Sequence, residues 1–209
     1  MEYVITSLLS IILALVVWRL KDWLSYKINP DIKLRRAPRN IFEHITPGTT
    51  VDKVKELLHT PYYNDDNRMT YKFKNANLEI KKDVNKVSTM ILILKNFGFR
   101  NKYPIHPTDY TLGKVKLRDI INSQENVGVD ISSKHGQVWI ERYFGNPGFY
   151  WYFTFGIFNG PGALYPYNFP KFSTEDQKVY GEYEDLKFNF IAVSKNSNEG
   201  QFFDFYAMR

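Results

Sequence analysis

Residues 3–20 read YVITSLLSIILALVVWRL, an apolar run whose single charge, Arg19, stands near its far end. Eighteen helical residues at about 1.5 Å each cover about 27 Å, close to the roughly 30 Å hydrocarbon core of a bilayer. The pattern therefore predicts a transmembrane helix, completed through Trp23 and Tyr26. A cleaved signal peptide is the competing reading, and it needs a basic segment before the run and small residues after it. Only Glu2 precedes the run, and the bulky Trp18-Arg19-Leu20 closes it.

Residues 28–40, broken by Pro30 and Pro38, read as a linker. Beyond them Thr49 or Thr50 can cap a helix over residues 50–59. Its apolar positions Val51, Val54, Leu57 and Leu58 recur at helical spacing, and Pro61 forbids continuation. RMTYKFK (68–74), NLEIK (77–81) and KVSTMILILK (86–95) then read as strands joined by short turns, one helix followed by an antiparallel meander. A similar grammar restarts at Tyr110. Gly113 precedes an amphipathic stretch with Val115, Leu117, Ile120 and Ile121, and strands are expected near residues 126–132, 137–144, 150–158, 186–193 and 201–207. Gly48 and Gly113 hold corresponding places, through either duplication or chance similarity of two helix–strand units. The expected fold class is α+β, an N-terminal transmembrane helix followed by one or two short-helix plus antiparallel-sheet units. The division is an anchor at 1–27, a basic juxtamembrane linker at 28–40, a helix-plus-meander unit at 41–100 and an aromatic-rich, mainly β unit at 101–209, separate from or continuous with the first.

The stretch ITPGTTVDKVKELLHTP (45–61) resembles the opening of the small α/β domains related to the outer-membrane assembly lipoprotein BamE/SmpA and to the β-lactamase inhibitor protein. Ile45, Gly48, Thr50, Val54, Leu58 and Pro61 match that motif, while His59 stands where the motif has glycine. The resemblance covers about 17 of the 209 residues. It implies a non-catalytic domain that presents a sheet face to a protein partner. The lipoprotein's acylated cysteine has no counterpart here, so an outer-membrane assembly role does not carry over.

Charge changes the picture mainly at the N-terminal end. No Lys or Arg precedes the apolar run, whereas Arg19, Lys21, Lys27, Lys33, Arg35, Arg36 and Arg39 follow it. By the positive-inside rule this places the rest of the chain in the cytoplasm, under a single span in the cell (inner) membrane. Trp18 and Trp23 are the expected interface aromatics, and Lys33, Arg35 and Arg36 the expected contacts to the lipid bilayer. The first 27 residues carry three basic and two acidic side chains, and residues 28–40 four basic against Asp31. Of the net +6, only +2 is left on residues 41–209. A nearly neutral domain is a poor nucleic-acid partner. The absence of Cys excludes disulfide scaffolds, thiol nucleophiles and zinc ribbons.

Local motifs for catalysis are weak. His44, His59, His106 and His135 form no i,i+4 pair, and Asn64-Asp65-Asp66-Asn67 lacks the spacing of a calcium loop and reads as a solvated turn. Neither a metal nor a cofactor is expected. An enzyme would need a convergent group such as His135 with Asp130 or Glu141. The richest segment is 143–172, which holds 13 of the 35 aromatic residues and so marks the first place to look for a surface. A strand over 150–158 puts Trp151, Phe153, Phe155 and Ile157 on one face and Tyr150, Tyr152, Thr154 and Phe158 on the other. Tyr150, Tyr152, Phe158, Tyr165 and Tyr167 are the candidate partner-binding residues, against the plainer reading that both faces are structural. The expected function is a membrane-anchored, bacterial-style, non-catalytic protein-binding, scaffold or inhibitor domain. An envelope factor with a periplasmic domain and a membrane-anchored enzyme are the alternatives.

Overall fold

The hydroxyl of Thr50 accepts a hydrogen bond from the Lys53 amide at 3.4 Å, which satisfies one of the free N–H groups at the start of a helix. This helix, α2 (Val51–Leu58), is the longest among the described residues of the computed structural model, which are 35–120, 128–131, 136–146, 149–160, 163–165 and 185–197. Val51, Val54 and Leu58 are buried on its inner face. The helix ends at His59, whose backbone turns to φ 62° and ψ −147°. One turn precedes it, α1 (Ile41–His44), with Ile41 and Phe42 buried.

Eight strands form one sheet. They are β1 (Tyr63–Asn64), β2 (Arg68–Lys72), β3 (Ala76–Asp83), β4 (Lys86–Leu94), β7 (Gly128–Ile131), β8 (Gly136–Asn146), β9 (Phe149–Asn159) and β10 (Phe190–Ser194). Between the two groups of four lie a small ribbon of β5 (Tyr103–Pro104) and β6 (Thr111–Leu112) and the single turn α3 (Leu117–Ile120). The sheet order is β1-β2-β3-β4-β10-β9-β8-β7, antiparallel throughout. Two four-strand meanders thus join through their last strands, with Ile191 opposite Leu92 on one side and Phe155 on the other.

Register explains the core. Met69, Ile80, Met90, Val193 and Phe153 lie in one row across the sheet, and Tyr71, Leu78, Leu92, Ile191, Phe155 and Ile140 in the next. All are buried in one cluster with Ile41, Val54 and Leu58 of the helices. Each such side chain contributes about 1.5–3 kcal/mol by leaving water. The opposite face has its own buried cluster, Ile91, Ile93, Phe158, Phe190 and Ala192, with Ala163. Strands apolar on both faces read as continuous hydrophobic runs, which is why MILIL and FIAV occupy the middle of the sheet. Tyr71 sits wholly inside, where its hydroxyl donates to the His59 carbonyl at 3.4 Å and burial pushes its pKa up.

The segment entering the domain is tied by buried amides. Asn75 accepts from the Ala37 amide at 3.0 Å and donates to Asn101 at 2.8 Å, and Asn101 accepts from Arg36 at 3.0 Å. Arg35 contributes its carbonyl to the Lys74 amide at 2.9 Å.

The expected fold class is corrected on two points. The described chain is mostly antiparallel β rather than α+β, and the three described helices are four, eight and four residues long. After Gly113 the described part of the amphipathic stretch is helical only over Leu117–Ile120, because Val115 and Leu117 exchange backbone hydrogen bonds with Phe188 and Leu186. Secondly, no helix among the described residues is long and apolar enough to cross a membrane. That finding stands against the expected single-pass transmembrane chain of the inner membrane. The stretch that carries the expectation, 1–27, and linker residues 28–34 lie outside the described residues.

Candidate binding site at the β8–β9 hairpin

β8 and β9 pair over eleven residues each, from Gly136 opposite Asn159 to Asn146 opposite Phe149. Their neighbours are shorter. β7 accompanies β8 only as far as Trp139, and β10 accompanies β9 only as far as Tyr152. Among the described residues, the end of the hairpin, 144–146 and 149–151, therefore extends past both flanking strands of the sheet.

Alternation sends the aromatic side chains of this end to two faces. On one, Tyr143 and Tyr150 meet edge to face with centroids 5.9 Å apart, at 70% and 44% exposure. Tyr152 lies directly across from Tyr143 and is half-buried. On the other, Phe144 lies across from Trp151, and its ring packs edge to face on Phe153 at 5.3 Å. Phe144 and Trp151 form one wall of a cavity of about 380 Å³. α1 supplies a second wall with Phe42 and Glu43, and the loop after β5 a third with His106 and Pro107. At the rim His106 Nε2 stands 3.3 Å from Glu43 Oε1, both side chains about half exposed.

Several expected site residues sit elsewhere. Phe158 is fully buried, and Tyr165 is buried against Phe97 with its hydroxyl donating to the Lys187 carbonyl at 2.8 Å. Tyr167 lies outside the described residues, as do Trp18, Trp23 and Lys33. Arg35 and Arg36 are exposed at the entry to the domain, where the bonds given above attach them. For the enzyme reading, Asp130 is opposite Gln137, four residues and about 13 Å along β8 from Glu141. Glu141 instead accepts from Ser197 at 2.5 Å, and His135 is outside the described residues. In the Asn64–Asn67 turn, Asp65 accepts from the amides of Asn67 and Arg68 at 2.8 Å each, and Lys82 donates to Asn64 at 3.1 Å. Burial opposes ionisation of Asp65, but the backbone hydrogen bond from Asn67, the Tyr63 hydroxyl and the Arg68 contacts outweigh it and lower its pKa. The side-chain oxygens of Asn64 and Asp65 are thus engaged by the protein's own donors. Among the described residues no group of three or more His, Asp or Glu gathers where it could hold a metal.

Sequence reasoning weighed His106 only as an isolated histidine and Tyr143 and Phe144 only as part of the aromatic segment, and it did not single out Glu43. Pro147-Gly148 between two aromatic runs is a turn signal that would have supplied the hairpin register, and with it Tyr143 and Phe144. No local signal joins residues 43, 106 and 144. No protein-family model matches the chain, nor does a curated protein or a solved structure.

Proposed function

We propose that this chain is a non-catalytic protein-binding domain, of scaffold or inhibitor type, that engages its partner with the end of the β8–β9 hairpin. The observation that carries this reading is the exposed Tyr143–Tyr150 pair. Two aromatic rings already in contact at 5.9 Å stand on a strand pair that, among the described residues, runs past the rest of the sheet. Tyrosine on a rigid element offers a large amphipathic contact with few torsions to freeze, and such residues are enriched among interface anchors. The resemblance of residues 45–61 to small domains that present a sheet to a protein points the same way.

A photo-crosslinking phenylalanine analogue at position 143, in cells expressing the full chain, tests the proposal. It is expected to give one discrete protein adduct that is lost when Tyr150 is changed to Ser. The same analogue at Phe99, which is 90% exposed on the loop after β4, should not give that adduct. Identical adducts from both positions, or none from 143, sink the reading.

A further inference from the structure

We infer that the cavity between α1, the His106–Pro107 loop and the hairpin end is a pocket for an alkyl cation, and that its source is a lysine or arginine side chain of the bound protein. The identification of the source rests on the protein-binding reading; the chemistry of the pocket does not. Three separated parts of the chain converge here, with Glu43 from α1, His106 from the loop and Phe144 and Trp151 from the hairpin. About 380 Å³ falls in the range of roughly 300–1,000 Å³ typical of small-ligand sites, ample for one long side chain.

Charge decides which class of ligand fits. The face of an aromatic ring carries negative quadrupole density and attracts ammonium or guanidinium, most strongly for Trp. Phe42, Phe144 and Trp151 surround the cavity, and Glu43 adds a full negative charge at its rim. No Lys or Arg is among the described residues that line it. His106 contacts Glu43 through one carboxylate oxygen, Oε1, at 3.3 Å. A carboxylate has room for about four acceptor sites, so that contact leaves Glu43 capacity for a second donor. An anion entering the cavity would meet the aromatic rings and Glu43 together. A neutral alkyl group would gain burial but leave the carboxylate unused.

The cavity also lies on the opposite side of the same hairpin end from the tyrosine pair. Phe144 is adjacent in sequence to Tyr143, and Trp151 to Tyr150, with their side chains alternating across the strands. A partner gripping the tyrosines is therefore at the same hairpin end as the pocket, about one sheet thickness away, and a long cationic side chain is the group suited to reach from one face to the other.

The test is a titration of the full, uniformly ¹⁵N-labelled chain, following the Trp151 indole signal, assigned through Trp151→Phe. The probes are Nα-acetyl-lysine methylamide, Nα-acetyl-arginine methylamide, n-pentylammonium and 1-pentanol. The expected result is saturable binding of the two capped amino acids, weakened about fivefold or more by Glu43→Gln, with 1-pentanol binding far more weakly and indifferent to that change. Glu43 is half exposed, so the variant is expected to keep its circular dichroism spectrum and melting temperature. Equal binding of 1-pentanol, no effect of Glu43→Gln, or no binding by any cation overturns the pocket assignment. Binding of n-pentylammonium alone overturns the partner side chain as the source and assigns the pocket to a free amine. Loss of the crosslink at position 143 with this titration intact would overturn the protein-binding reading while leaving the cation pocket standing.

Discussion

At His59 the chain departs from its own motif, and the backbone registers the departure. The residue ends α2 at φ 62° and ψ −147°, a region essentially reserved for glycine, and its amide still donates to the Lys55 carbonyl at 2.7 Å. A side chain held there costs of order 1–3 kcal/mol, partly offset by the extra freedom glycine gives the unfolded chain. The domains that residues 45–61 resemble have glycine at this position. His59→Gly is therefore expected to stabilise the protein by about 1 kcal/mol, read as a higher urea midpoint at unchanged slope. A lower midpoint would mean that the imidazole makes a contact worth more than the strain. The residue's identity and its place at a helix end were legible in the sequence. The conformation was not, because it depends on where the chain goes next, toward the Tyr62 amide bond to the Thr70 carbonyl that begins the sheet.

Among the elements, the strands read more faithfully than the helices. α2 is where its cap and its 3.6-residue spacing predict, and β9 divides its aromatics between two faces as alternation requires. α3 shrinks to one turn because residues 115–117 find backbone partners in 186–188, a long-range competition that no local window contains. A second long-range effect is visible where glycine meets aromatic. Across the sheet, Gly128, Trp139, Gly156, Phe190 and Ile93 lie in one row, so bulky rings alternate with bare backbone. A methyl group on Gly156 would overlap the Phe190 ring and the Val138 carbonyl. Gly156→Ala is expected to destabilise by about 2–3 kcal/mol through overpacking. A double-mutant cycle with Phe190→Leu is expected to show coupling of about 1 kcal/mol or more, since the smaller side chain removes half of the clash. Additive effects would mean that the ring swings clear at little cost and that the row is not a packing constraint.

At the scale of the whole molecule, the joint between β4 and β10 decides whether the two meanders are one folding unit. The apolar runs MILIL and FIAV announced buried strands, but not that the last of them would pair with both β4 and β9. Strand order is set by which pairing buries the most, and residues 94 and 190 meet only after the intervening chain has closed a loop. The same reason hid the cavity, whose walls come from residues 42–43, 106–107 and 144–151. Ile191 is fully buried at the joint, facing Leu92 and Phe155, and its cluster runs without a break from Met69 and Ile80 to Phe153 and Ile140. Ile191→Ala is expected to cost about 2–5 kcal/mol. If the sheet folds as one unit, native-state hydrogen exchange should lose protection equally at the Ile80 amide in β3 and the Ile140 amide in β8, each separated from β10 by one strand. Protection lost in β8 but retained in β3 would instead divide the chain into two independently stable meanders that only lean on each other through β10. The hairpin end would then move with the second meander alone. Its cavity, which draws Phe42 and Glu43 from the first, would open whenever the joint does.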